Sequence, residues 1–80
     1  MNGIVYELVD IYRDANGELE VHTRLYNTKE KAVQQLFTRM EEVRSSSEIT
    51  FEWMDEEVFG QLEDKEENRY EFYLVKKEIE

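Results

Sequence analysis

The tetrapeptide "DANG", Asp14 to Gly17, constrains this chain more than any other stretch, because apolar, β-branched and aromatic runs flank it on both sides. "IVYELVDIYR" precedes it and "ELEVHTRLY" follows. Asp14 suits the first position of a type I turn, and Gly17 suits the left-handed position that closes a three-residue hairpin loop with a bulge. That turn sets Arg13 opposite Leu19, Ile11 opposite Val21 and Val9 opposite Thr23. A tight two-residue turn at Asn16 and Gly17 would instead pair Arg13 with Glu20, and one residue of slip exchanges the faces of a strand. The bulged turn is preferred because Asp14 and Gly17 both fit it. The second strand then alternates, with Leu19, Val21, Thr23 and Leu25 inward and Glu18, Glu20, His22 and Arg24 outward. The first strand is apolar on both sides, as a strand covered on both faces is.

"NTKEKAVQQLFTRMEEVRSSS" follows and reads as a helix. Thr28 supplies a capping oxygen, and Glu30 sits in the first turn, where the helix dipole favours negative charge. Ala32, Val33, Leu36, Phe37, Met40 and Val43 recur at helical spacing and form the stripe that packs on the sheet. Arg44 lies in the last turn, and Ser45 to Ser47 end the pattern.

"EITFEWM" alternates Ile49, Phe51 and Trp53 against Glu48, Thr50 and Glu52, as a half-buried strand does. In "NRYEFYLVKKEIE" the residues Tyr70, Phe72 and Leu74 share one face of a last strand, with Tyr73, Val75 and Ile79 on the other. Residues 55–63, "DEEVFGQLE", fit either a short helix capped by Asp55 or a strand around Val58 and Phe59, and Gly60 weakens both. With 80 residues, no proline and no low-complexity linker, residues 1–80 form one domain. The expected class is α+β in the order ββαββ, a mainly antiparallel sheet with the helix packed on one face. The opposite face, expected to carry Tyr6, Leu8 and Tyr12, then has no cover within the chain. A second chain is one way to supply it.

Twenty acids against ten bases give a net charge of −10. That sign repels nucleic-acid phosphates and anionic lipid, so neither direct nucleic-acid binding nor membrane binding is expected. No apolar run nears the roughly 20 residues of a membrane span. Acids at Glu7 and Asp10 interrupt any signal-peptide core. The chain has no cysteine, which suits a cytoplasmic protein. A catalytic role is not expected. His22 is the sole histidine, no nucleophile stands in a recognisable motif, and there is no phosphate loop or HExxH. "DANGELE" and "EDKEEN" lack the ligand spacing of a calcium loop, so no metal or cofactor is expected.

The charge is uneven. Residues 48–67 hold nine acids and one lysine. Two roles follow from the sequence. One is a protein-interaction module that self-associates, as a homodimer, or binds another protein through the uncovered aromatic sheet face. The alternative is an acidic decoy that imitates a phosphate array and occupies a basic nucleic-acid-binding protein. For a binding surface in this stretch the candidate residues are Asp55, Glu56, Glu57, Glu63, Asp64, Glu66 and Glu67, with Trp53 and Phe59 as apolar anchors. A decoy needs these carboxylates on one continuous face.

Overall fold

A computed structural model describes residues 3–79. The elements are β1 (Gly3–Arg13), β2 (Leu19–Tyr26), α1 (Lys29–Ser46), β3 (Ile49–Asp55), β4 (Phe59–Asp64) and β5 (Arg69–Ile79). All five strands form one sheet in the order β2-β1-β5-β4-β3, with every neighbouring pair antiparallel. The α+β class and the ββαββ order hold, with one strand added. The undecided stretch 55–63 supplies that strand as β4.

The first turn forms as its residues dictate. The Gly17 amide donates to the Asp14 carbonyl (3.0 Å), and Gly17 has φ +88°. The Asp14 carboxylate accepts from the amides of Asn16 and Glu18, each at 2.9 Å. Arg13 stands opposite Leu19, Ile11 opposite Val21 and Val9 opposite Thr23. The turn between β4 and β5 repeats this chemistry on different residues. Asp64 Oδ1 accepts from the Glu66 and Asn68 amides (2.9 and 3.0 Å), and Glu67 takes the left-handed position at φ 69°.

Thr28 Oγ1 caps α1 by accepting from the Lys31 amide at 3.2 Å. Ala32, Leu36, Met40 and Val43 are buried against Leu8, Leu62 and Phe72 of the sheet. Each of these larger side chains contributes roughly 1.5–3 kcal/mol by leaving water. Phe37 departs from the expected stripe and is 41% exposed, because it stands on the shoulder of the helix away from the sheet. β4 reaches the core through Gly60. A Cβ at that position would lie 2.8 Å from Met40 Sδ, so the missing side chain lets the methionine seat on the strand.

The helix covers the opposite face from the one expected. Leu8, Asp10, Leu62 and Phe72 lie under it, whereas Leu19, Val21 and Leu25 point away and stay exposed. Tyr6 and Tyr12 share the helix side with Leu8, by strand alternation. The reason is chain handedness. β2 and β3 run in the same direction at the two sheet edges, so α1 is a crossover between parallel strands. The Asp14 amide points toward β2, where it donates to Glu18 O. For L-residues that direction places the even-numbered side chains of β1 on the side taken by a right-handed crossover, which nearly all such connections are. Handedness outweighs the apolar pattern of β2.

Asp10 places a carboxylate within this layer. Asp10 is 9% exposed, and its Oδ2 accepts from Arg39 Nε (3.1 Å) and Nη2 (2.8 Å). The hydrogen bond to Asp10 raises the Arg39 pKa, over the opposing effect of partial burial. Among the described residues no helix is long and apolar enough to cross a membrane.

Candidate interaction surface

The face of the sheet opposite α1 is assembled by register. Thr23, Val9, Tyr73, Phe59 and Asp55 form one row across the strands. Val21, Ile11, Glu71, Gln61 and Trp53 form the next row, and Leu19, Arg13, Arg69, Glu63 and Phe51 the one beyond it. Among the described residues no element lies over these rows, since α1 occupies the other side. Of the nine large apolar side chains that remain exposed among them, all but Ile4 and Phe37 belong to this face. Val21 is 52% exposed, Leu25 60% and Trp53 48%. Scattered apolar residues are normal on a protein surface, but these seven lie on β2, β3 and β5 of one face, with the half-buried Val9, Ile11, Phe59 and Tyr73 between them.

The two halves of the face differ in chemistry. β3, β4 and β5 carry an aromatic chain, with Trp53 and Phe59 at a centroid distance of 5.4 Å and Phe59 and Tyr73 at 4.8 Å. Such tilted pairs contribute about 0.5–1.5 kcal/mol each beyond their burial, and they hold the anchors rigid. β1 and β2 present aliphatic side chains instead.

Polar groups on the face are largely paired within it. Arg69 Nη2 meets Glu63 Oε1 at 2.8 Å, and Lys77 Nζ meets Glu7 Oε1 at 3.0 Å. The Tyr73 hydroxyl donates to Glu71 Oε2 at 2.6 Å. That hydrogen bond, aided by burial, pushes the Tyr73 pKa up.

The residues singled out in the acidic stretch fall into three places. Trp53 and Phe59 come together on the open face, with Asp55 beside Phe59 at its margin. Glu56 and Glu57 are the central residues of the Asp55–Val58 turn between β3 and β4, both left-handed at φ 46° and 65°. Glu63, Asp64, Glu66 and Glu67 lie at the opposite end of β4, about 20 Å away for a strand of this length. Several carboxylates of the stretch are engaged locally. Glu48 pairs with Lys65 and Glu63 with Arg69. Glu52 binds Arg44, whose hydrogen bond holds the Glu52 carboxyl below its ordinary range. Asp64 is buried, which by itself would raise its pKa. The hydrogen bonds from Asn68 and the Glu66 amide together outweigh that and lower it. Asp64 therefore builds the turn.

Apolar alternation turns Leu19, Val21 and Leu25 inward, with Val9 and Ile11 on the same face, and the structure places this aliphatic half on the open side. Combining the hairpin register with the strand order and the handedness of a parallel crossover assigns it to the open side. Among the described residues no three His, Cys, Asp or Glu side chains are grouped to hold a metal ion.

Neither protein-family models, nor curated proteins, nor solved structures provide a match to this chain.

Proposed function

We propose that this chain is a protein-interaction module whose working surface is the open face of its sheet. One observation carries the proposal: among the described residues, seven of the nine exposed large apolar side chains share a single face that no described element covers. Leaving such a face in water is unfavourable by roughly 25 cal/mol for each Å² of apolar surface, so a partner that covers it gains that amount. The aromatic group of Trp53, Phe59 and Tyr73 supplies anchors across β3 to β5, and the charges Arg69, Glu63, Lys77 and Glu7 on this face are paired with one another.

The acidic stretch supports a docking role less well, because its carboxylates are divided between the two ends of β4 and several are already paired. They suit the solvated margin of a small apolar module, where like charge limits non-specific association.

Site-specific photo-crosslinking tests this. A photoreactive residue at position 53 should form protein adducts in an extract of the source cells, and adding Val21→Glu at the far edge of the same face should abolish them. The same residue at Gln34, on the outer side of α1, should form none. Equal adducts from both sides, or none from position 53, would contradict the proposal.

A further inference from the structure

Building on that reading of the open face, we infer that its occupant is a second copy of this chain, stacked sheet against sheet about a two-fold axis that runs along β5. Size, charge and pattern argue for it independently.

Five strands about 4.8 Å apart, each contributing about eight residues at about 3.3 Å, make a face of about 600 Å². Two copies stacked hide about 1,200 Å² in total, above the roughly 1,000 Å² that a specific interface needs.

The charge of the face differs from that of the molecule. The whole chain carries −10, but the open face holds three bases (Arg13, Arg69 and Lys77) and four acids (Glu7, Asp55, Glu63 and Glu71). A basic partner selected by the acidic remainder of the chain has no electrostatic reason to settle here. A second copy meets a surface as near to neutral as its own, while the acidic turns stay at the rim.

The pattern then selects the arrangement. β5 is the middle strand of five, so a two-fold axis along it lays β1 of one copy on β4 of the other, and β2 on β3. Each row meets its own reverse. Val21 faces the second copy's Trp53, and Val9 faces its Phe59, which joins the aliphatic half to the aromatic half. Arg13 faces Glu63 of the other copy. Tyr73 lies on the axis against its counterpart. Arg69 and Glu71 from each copy surround the axis with two charges of each sign. Packed β-sheets accept this alignment with a rotation of about 30°.

The test uses the absence of cysteine from the chain. Thr23 and Asp55 end the same row on opposite edges, four strand spacings or about 19 Å apart within one copy, but face each other between copies separated by about 10 Å. A bis-maleimide with a reach between those distances should convert Thr23→Cys/Asp55→Cys into a covalent two-copy species. Each single-cysteine variant should stay unlinked. Sedimentation equilibrium of the unmodified chain should give the two-copy mass at micromolar concentration. A one-copy mass across that range overturns the inference, as does linkage of Thr23→Cys alone or a two-copy species that the double variant fails to link. These failures are separate from failure of the interaction reading itself. A one-copy chain whose position 53 still forms adducts with another protein keeps that reading, whereas a face without adducts of any kind removes it.

Discussion

The two faces of the sheet are built from the same strands, yet they serve different ends. Under α1, Leu8, Leu62 and Phe72 meet Leu36, Met40 and Val43, and the apolar surface is fully used within the chain. On the other side Val21, Leu25 and Trp53 are comparably apolar and remain half exposed. The difference shows that apolar alternation marks which residues can be buried, whereas chain connectivity decides which are. One crossover helix covers one face, and its handedness chooses the face before the side chains of β2 enter the balance.

The strongest way to break this comparison is a cavity on the covered side. Leu36→Ala should lower the stability of the chain by about 2–5 kcal/mol in urea unfolding, since Leu36 is fully buried. Phe37→Ala, one residue along the same helix, should cost less than about 1 kcal/mol because its ring stands in solvent. Equal losses from both would place the helix on the sheet differently from the arrangement described.

Next in size is the contact that fixes β4 beneath α1. Gly60→Ala brings a methyl group within 2.8 Å of Met40 Sδ and should cost about 1–3 kcal/mol. Shortening the opposing side chain in Gly60→Ala/Met40→Val should recover part of the loss. A Gly60→Ala melt identical to that of the parent would mean that the methionine is not seated on the strand.

A smaller effect distinguishes the buried turn carboxylate from the solvated ones. The Asp64 pKa is lowered on folding, so its contribution is present above the ordinary carboxylate range and is lost as pH falls through the lowered folded value. Asp64→Asn should cost about 1 kcal/mol at neutral pH through weakened amide hydrogen bonds, and it should flatten the acid limb of the stability curve. Glu66→Gln, on an exposed side chain of the same turn, should change stability by less than about 0.5 kcal/mol at neutral pH. An unaltered acid limb in Asp64→Asn would show that the turn does not depend on the charge.

The smallest expected change is on the open face. Leu25→Ser in dilute protein should alter stability by less than about 0.5 kcal/mol, because the side chain is 60% exposed and packs little within one copy. A loss comparable to that of Leu36→Ala would mean that this face is already covered.

Much of this architecture is legible in the residues. Asp14 and Gly17 specify the hairpin and its register, and Thr28 specifies where α1 begins, because turns and caps act through local backbone hydrogen bonds. The strand β4 is harder to read. Its Gly60 looks like a breaker until Met40, distant in sequence, is known to pack on it. Phe37 fits the helical period and misses the core by its angle on the helix. An uncovered second face follows from counting helices, but its composition does not follow from alternation. Alternation places Tyr6, Leu8 and Tyr12 there, but they lie on the helix side, and Leu19, Val21 and Leu25 exchange places with them. The candidate surface is thus legible as an area and inverted in detail.

Hydroxyl-radical footprinting over a concentration series tests the open face most directly, since Trp53 and Phe37 are both exposed aromatics of similar reactivity class on opposite sides of the molecule. Trp53 is 48% exposed and Phe37 41%. If the open face is the docking surface and a second copy fills it, Trp53 becomes protected as concentration rises while Phe37 stays reactive. Trp53 remaining as reactive at high concentration as at low, or Phe37 becoming protected in its place, would contradict the account.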